Sequence, residues 1–256
     1  MFSLLKKIFW YPFSTKQEIE SYQTIIRDLE WNEFKKYIKP NQRFLDLGCG
    51  AGYFLDKASK ELNCEVYGID PSPGKHGVGR YGDSINQNII KGFAENIDYQ
   101  DEYFDAILCS HVLEHVTDEE KSLSEIRRVL KPDGVLIIGM PTASMSIIAV
   151  FSHYFFTTHA NIYHFILSIG KKESYKKLLH TLIPTSHSAP NHRFIFYDLY
   201  KYRIKQWRKV VSRVFSIESE LKPYLYPYPD YIQFFKPKKM KNFSSSIFFI
   251  CKKNKN

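Results

Sequence analysis

The stretch Arg43-Phe-Leu-Asp-Leu-Gly-Cys-Gly-Ala-Gly52 decides how the rest of this chain is interpreted. A short apolar run, interrupted only by Asp46, predicts a buried strand. Apolar residues at helical spacing follow the run's glycine-rich end. Between the two, glycine occupies every second position, at Gly48, Gly50 and Gly52. Strand, glycine turn and helix are the layout of a nucleotide-binding βα unit, in which glycine lets a ligand lie close to the main chain.

Further strand patterns recur along the chain, and helical patterns separate them in its first half. They predict strands at residues 64–70, 88–91, 104–109, 135–140, 215–221 and 246–252. Strands that alternate with helices predict a parallel sheet whose ligands bind at the carboxyl ends of the strands. The second strand ends in Asp70, 18 residues after Gly52. An acid at about this spacing binds ribose hydroxyls in dinucleotide-type folds; the alternative is a carboxylate that only caps the next turn.

Three helices are predicted from their periodicity and their ends. Apolar spacing favours a helix over residues 18–39, which Pro40 stops. Thr117 and Glu120 form a capping box, which predicts the start of a second helix. The third is a basic helix over residues 198–213.

The net charge of +9 is distributed unevenly. Residues 1–140 carry a net charge of −5, whereas residues 141–256 carry +14. So basic a second half favours an anionic partner, such as a phosphorylated metabolite, a nucleotide-linked sugar, an anionic lipid or nucleic acid. The alternative is a surface of solvated lysines.

Two apolar segments raise the question of membrane contact. No Asp, Glu, Lys or Arg lies between Gly134 and Gly170. Residues 145–169 are nevertheless too rich in His, Asn, Ser and Thr to indicate a membrane span. This segment predicts an apolar cap over a pocket, or an interfacial helix pair. Residues 1–13 are expected to pack against the domain. A peripheral membrane contact through 1–13 or 145–169 is the alternative.

Cysteine usage and the N-terminal residues bear on the compartment. The four cysteines include no C-x-x-C pair, so neither a disulfide framework nor a thiolate zinc site is indicated. Lys6 and Lys7 interrupt the first apolar run, which also lacks the cleavage site of a signal peptide. A reducing cytoplasm is therefore the predicted location, with membrane-peripheral attachment left open.

Four linked motifs resemble those of the class I S-adenosylmethionine-dependent methyltransferases. They are L-D-L-G-C-G-x-G, G-x-D, F-D followed by L-E-H, and R-x-L-K-P-x-G, and they stand here at Leu45–Gly52, Gly68–Asp70, Phe104–His115 and Arg128–Gly134. The resemblance covers residues 43–141 in the right order. It implies an α/β fold with a doubly wound, mostly parallel seven-stranded sheet, Rossmann-like, to which a helical cap insertion is added.

The resemblance also assigns residues to the cofactor S-adenosylmethionine. Asp46 and the glycine turn would surround its methionine and ribose parts, Asp70 would hold the ribose hydroxyls, and Ala94 would face the adenine through its backbone. Phe93 stands where relatives commonly have an acid for the adenine amino group, so that Glu95 or the ring of Phe93 would replace it. The implied cofactor-binding residues are Asp46, Gly48, Cys49, Gly50, Gly52, Asp70, Ala94, Glu95 and Ser110.

Methyl transfer to a hydroxyl needs a base near the proton that the acceptor loses. The predicted catalytic residues are His111, after the fourth strand, and His192, which resembles the substrate-side histidine of some relatives. His115 is interpreted as structural. The segment from His111 to His115 also spells the H-x-x-E-H motif of inverted zinc peptidases. Since it follows a strand directly and precedes the predicted helix, no metal site is predicted.

The predicted organisation is a single domain over residues 1–256. Its parts are N-terminal helices at 1–39, a cofactor-binding core at 40–141, an apolar, histidine-rich cap at 142–192, and a basic part at 193–256 that completes the sheet. The predicted function is O- or N-methylation of an anionic small molecule or glycan precursor that is nucleotide-, phosphate- or lipid-linked. Two alternatives are an RNA methyltransferase, which would bind phosphates with the basic helix at 198–213 and with residues 236–241, and a non-catalytic cofactor-binding scaffold.

Overall fold

The computed structural model describes residues 16–75, 77, 88–152, 196–226 and 236–254. Its helices in these segments are α1 (Lys16–Phe34), α2 (Tyr53–Leu62), α3 (Glu119–Val129), α4 (Ala143–Ser152), α5 (Phe196–Lys201) and α6 (Ile204–Val211). A short 3-10 helix, Lys35–Tyr37, follows α1 directly. The strands are β1 (Arg43–Leu47), β2 (Glu65–Asp70), β3 (Ile89–Lys91), β4 (Phe104–Ser110), β5 (Leu130–Pro141), β6 (Phe215–Leu221) and β7 (Ser246–Lys253).

The strands form one sheet in the order β3-β2-β1-β4-β5-β7-β6. β1 pairs in parallel with β2 and β4, and β4 pairs in parallel with β5. β7 runs antiparallel between β5 and β6. The prediction of a mostly parallel seven-stranded sheet is therefore confirmed. Because the strand order reverses between β1 and β4, the carboxyl ends of these two strands border the crevice in which open α/β sheets bind ligands.

Alternation along β1 explains how this strand lies at the centre of the molecule. Phe44 packs on the face of the sheet covered by α1 and α2, together with Trp31 and Phe54. Leu45 and Leu47 are buried on the opposite face, where α3 and α6 pack apolar side chains against the sheet. Successive side chains of a strand point to opposite faces, so one buried strand serves two cores. The doubly wound arrangement places β1 and its glycine turn between both helix layers.

The turn after β1 depends on the absence of a side chain at Gly48. Its φ is +78°, a left-handed conformation that side chains disfavour, and a Cβ built there would overlap the side chain of Val112. Val112 follows the end of β4, so the close approach brings the turn against the next strand's carboxyl end. The glycine is required by both the backbone and the neighbour.

We expect Gly48→Ala to lower the free energy of unfolding by about 2–4 kcal/mol, the sum of left-handed strain and overpacking. Gly74→Ala is the matched control, because Gly74 has a φ of +75° with nothing within 4 Å of the added Cβ. The control should cost only about 1–2 kcal/mol. Urea unfolding measures both, and Gly48→Ala combined with Val112→Ala should recover part of the loss. Equal costs for the two glycine variants would contradict the steric explanation.

The predicted capping box before α3 is wrong. Asp118 is the N-cap residue, and its side chain accepts a hydrogen bond from the Lys121 amide at 2.9 Å. Thr117 instead donates its amide and its hydroxyl to Glu95, both at 2.9 Å. An Asp at the N-cap satisfies the helix as well as Thr does, and the contact with Glu95 takes Thr117 out of the cap.

The single basic helix predicted over residues 198–213 is also wrong, because α5 and α6 are two helices with a break between them. Arg203 is extended, with a φ of −64° and a ψ of 131°. The break lets the ring of Tyr202 stack on Trp207 with the two centroids 5.9 Å apart, and both side chains are buried. Tertiary packing of these two rings therefore overrides the helical periodicity.

The predicted cap at 142–192 is described only in its first part. α4 begins it, and residues 153–195, which include His192, lie outside the described residues, as do residues 1–15. The cap and the single-domain organisation thus stay predictions. Within the described segments, no helix combines the length and the apolar character needed to cross a membrane.

Candidate active site

The glycine turn is fixed to the end of β2 by backbone hydrogen bonds. The amides of Gly48 and Cys49 both donate to the carbonyl oxygen of Ile69, at 2.6 Å and 3.2 Å. Gly52 is left-handed, with a φ of +87°, and is the N-cap residue of α2. Burial raises the pKa of the Cys49 thiol, so this residue offers its backbone rather than a thiolate. The turn is a backbone-lined cradle that opens toward the N-terminus of a helix.

Asp70, at the tip of β2, connects the two loops that border this cradle. Its Oδ2 accepts from the Gly50 amide at 2.9 Å, and its Oδ1 accepts from the Ser72 amide at 2.7 Å. The carboxylate therefore does cap the next turn, as one sequence interpretation held. Each carboxylate oxygen has a further lone pair, so the same group can still accept from a vicinal diol.

Asp46 lies on β1 with only 2% of its surface exposed. Burial raises the pKa of Asp46 to about 7; the charge of Arg27 lowers it, and the neighbouring carboxylate of Asp70 raises it further. A carboxyl group held in this state ionises readily when a cation is bound beside it. The position is thus suited to the ammonium group of a ligand.

The raised pKa of Asp46 predicts a pH dependence of stability. Since the unfolded chain loses this proton first, the contribution of Asp46 to stability falls as the pH rises from about 4 to about 7. Asp46→Asn has no such proton, so its free energy of unfolding relative to wild type should increase by about 2–3 kcal/mol between pH 5 and pH 8. Urea unfolding at both pH values measures this. The exposed Asp133→Asn serves as the control, and a difference independent of pH would contradict the assignment.

A wall of the crevice comes from α1, which the sequence interpretation did not assign to the site. The Arg27 guanidinium lies 2.7 Å from Glu30 Oε2 and its carbon lies 5.9 Å from the ring centroid of Phe54, on the first turn of α2. Tyr226 and Ser246 donate their hydroxyls to Glu30 Oε1 at 2.7 Å and 2.9 Å. Burial raises the pKa of Glu30, but Arg27, the charge of His111 and these hydroxyls bring it below its ordinary value.

The end of β4 carries polar groups that have no hydrogen-bond partner among the described residues. His111 has a φ of +57°, and its amide donates to the Gly139 carbonyl oxygen at 2.8 Å. Its Nδ1 lies 3.4 Å from Glu114 Oε1. The partnerless buried atoms at this end are His111 Nε2, Ser110 Oγ and Glu114 Oε2. Buried polar groups are nearly always paired, so each of these atoms is a candidate to bind a ligand or a water molecule.

Glu95, one of the two residues that would replace the missing acid at the adenine, already accepts two hydrogen bonds from Thr117. Thr117 holds the Glu95 carboxylate; burial raises its pKa, but the hydrogen bonds from Thr117 bring it below its ordinary value. Ala94 is buried, while the Phe93 side chain is 59% exposed. Of the two replacements considered for the missing acid, the geometry favours the ring of Phe93.

The H-x-x-E-H segment, residues 111–115, is a turn and not a helix. In the part of the chain that the structure describes, no three His, Cys, Asp or Glu side chains are placed to hold a metal ion. The segment therefore lacks the helical ligand geometry of a zinc peptidase.

Comparison with known proteins finds methyltransferases among the proteins similar to this chain. Residues 45–138 match a family model described as a methyltransferase domain. A ubiquinone biosynthesis O-methyltransferase from Bradyrhizobium sp. (strain ORS 278) is 30% identical over 54% of this chain and 58% of that protein. A ubiquinone/menaquinone biosynthesis C-methyltransferase from Vibrio campbellii (strain ATCC BAA-1116) is 38% identical over 39% of this chain and 41% of that protein. The chain thus spans about half the length of these curated relatives.

Solved structures share the fold over almost the whole chain. An S-adenosylmethionine-dependent methyltransferase from Thermotoga maritima has a TM-score of 0.52 at 18% identity and covers 92% of each chain. Another, from Archaeoglobus fulgidus, has a TM-score of 0.51 at 15% identity and covers 98% of this chain and 99% of that one. The chain therefore shares its fold with S-adenosylmethionine-dependent methyltransferases, and its residues 45–138 match a methyltransferase domain. Fold and matched domain both support the resemblance to this class, which implies S-adenosylmethionine as the cofactor.

Proposed function

We propose that this chain transfers a methyl group from S-adenosylmethionine to a hydroxyl group of a small anionic acceptor. The observation that carries the proposal is His111 Nε2, a buried nitrogen with no partner among the described residues, at the end of β4 beside the glycine turn. A base in this position serves an acceptor that loses a proton. The similarity to a relative named as an O-methyltransferase supports the same chemistry.

The residues present fit S-adenosylmethionine. Asp70 would accept from the ribose hydroxyls with the lone pairs that the Gly50 and Ser72 amides leave free. Asp46 and Arg27 offer one negative and one positive charge, which match the ammonium and carboxylate groups of the methionine moiety. Ser110 Oγ, buried and without a partner in the described segments, would donate to the same moiety.

S-adenosylmethionine supplies a methyl group that its positively charged sulfur has already activated. The protein's task is then to align the acceptor oxygen with the methyl group, and well-oriented reactants gain about 7–11 kcal/mol of the barrier. His111 Nε2 would take the hydroxyl proton as the oxygen attacks. Its position one residue past the end of β4 places it beside the cradle, since the next residue, Val112, contacts Gly48.

Two features support an anionic acceptor. Residues 141–256 carry a net charge of +14. One of these cations, the Lys201 ammonium of α5, donates to the Glu114 carbonyl oxygen at 3.5 Å and pairs with Glu119 at 3.2 Å, in the segment that follows His111. A nucleotide-, phosphate- or lipid-linked acceptor would thus approach through the basic half while its hydroxyl reaches the end of β4.

An acceptor screen with methyl-labelled S-adenosylmethionine tests the proposal. Each hydroxyl acceptor, phenolic or sugar, is offered in a neutral form and in a phosphorylated or carboxylated form. We expect transfer to oxygen and a kcat/KM that is at least about tenfold higher for the anionic forms, which is the effect of one charged hydrogen bond. Equal rates for neutral forms would contradict the anionic acceptor. Cofactor binding without turnover of any acceptor would favour the scaffold alternative.

A further inference from the structure

We propose that Glu114 is a positioning residue, which holds the neutral imidazole of His111 with its proton on Nδ1 so that Nε2 accepts the proton of the acceptor hydroxyl. The inference rests on the proposed function and deepens it by naming the group that prepares the base. Glu114 Oε1 lies 3.4 Å from His111 Nδ1, and the Glu114 side chain is almost fully buried. Hydrogen bonds of catalytic bases are often this long before substrate binds.

Glu114 is a buried carboxylate with two histidine neighbours. Burial raises the pKa of Glu114, but the hydrogen bond and charge of His111, together with the charge of His115, bring it below its ordinary value. The hydrogen bond from a neutral His111 ring favours the ionised carboxylate, while Glu114 Oε2 has no partner among the described residues. An ionised buried group with one unpaired oxygen is expensive. A position chosen for packing alone would carry an apolar residue.

The backbone of His111 points to the same requirement. A φ of +57° costs a residue with a side chain about 1–2 kcal/mol. The hydrogen bond from its amide to the Gly139 carbonyl oxygen holds the residue in this conformation. In this conformation Nδ1 of the ring lies 3.4 Å from Glu114 Oε1, and such a partner on one nitrogen fixes which nitrogen is free to accept.

The other charged groups near the ring complete the electrostatic setting. A positive charge on His111 lowers the pKa of Glu30 on α1, and Arg27 pairs with Glu30. On the same turn, His115 Nε2 lies 3.9 Å from Glu114 Oε1, with 45% of its side chain exposed. Glu114 is the carboxylate that reaches Nδ1 of His111 through its Oε1, while its Oε2 has no partner among the described residues. The imidazolium formed during transfer would therefore be stabilised from both α1 and the turn.

The kinetic test compares Glu114→Gln with wild type and with Glu119→Gln. Glu119 is the matched control, a nearby carboxylate that pairs with Lys201 at 3.2 Å. We expect Glu114→Gln to lower kcat by about 10–100-fold, as loss of an outer partner of a functional histidine does, with the affinity for S-adenosylhomocysteine within about threefold of wild type. The loss should shrink to about threefold for acceptors already ionised at the assay pH.

A measurement without turnover keeps the inference separate from the proposed function. In the S-adenosylhomocysteine complex, ¹⁵N spectra should show His111 with its proton on Nδ1, assigned by the signal missing in His111→Asn, and Glu114→Gln should move the proton to Nε2. A wild-type ring protonated on Nε2, or a kcat loss independent of acceptor acidity, would overturn the inference. Absence of any transfer to hydroxyls in wild type would instead overturn the proposed function, while the spectra would still decide the pairing.

Discussion

Replacing Asp70 by alanine is expected to weaken the binding of S-adenosylhomocysteine by about 100-fold or more. The variant would lose the two charge-assisted hydrogen bonds proposed between Asp70 and the ribose, each worth about 1.5–3 kcal/mol, and it leaves the Gly50 and Ser72 amides without their acceptor. Calorimetric titration measures the effect. Asp133→Ala, at an exposed position, is the control and should stay within about twofold of wild type.

A second substitution separates ligand contact from the shape of the turn. Asp70→Asn keeps one oxygen acceptor of the same size, and its binding loss should be about tenfold, smaller than that of Asp70→Ala. Circular dichroism confirms that each variant is folded. If both variants bound S-adenosylhomocysteine within about threefold of wild type, the ribose assignment of Asp70 would be wrong.

Replacing His111 by asparagine should lower kcat by about 10²–10⁴-fold, the range that a positioned base contributes. Asparagine tolerates the left-handed backbone at φ +57° and still fills part of the space, so the change removes the base rather than the turn. The affinity for the cofactor should change little, because the proposed contact of His111 is with the acceptor. Initial rates at saturating cofactor and acceptor measure the effect.

His115→Asn is the matched control for this experiment. Its ring lies on the same turn and is 45% exposed, and the variant should keep kcat within about threefold of wild type. A His111→Asn enzyme that retained more than about a tenth of the wild-type kcat would contradict the assignment of the base. The proton would then leave through another group, and His192 is the other histidine that the sequence proposes for this role.

The parts of this molecule that sequence alone predicts are those set by short-range geometry. The glycine turn follows from Gly48 and Gly52, whose left-handed backbones need glycine. Asp70 is predicted to lie beside the turn because its distance along the chain from Gly52 is typical of this kind of βα unit, and its carboxylate does accept from the Gly50 amide. The seven strands are predicted from short apolar or alternating runs, and the predicted bounds differ from the observed ones mostly by a few residues.

The parts that were missed depend on contacts between distant segments. Arg27 and Glu30 signal only an ordinary ion pair along a helix, and their place in the site follows from how α1 packs over the sheet. Thr117 was assigned to a helix cap from its spacing to Glu120. Its observed partner, Glu95, lies 22 residues earlier in the chain, where local spacing gives no indication of it. Likewise, the break between α5 and α6 follows from tertiary ring packing that local periodicity does not contain.

The tie between Glu30, Tyr226 and Ser246 links a helix near one end of the sequence to the strand near the other. β7 also lies inside the sheet, between β5 and β6. During synthesis on the ribosome, the wall that carries Arg27 therefore lacks its anchor until residues 246–253 have emerged. Such long-range closure slows folding. We therefore expect a nascent chain that already contains the whole glycine turn to bind the nucleoside weakly. Cofactor binding would then follow the completion of translation.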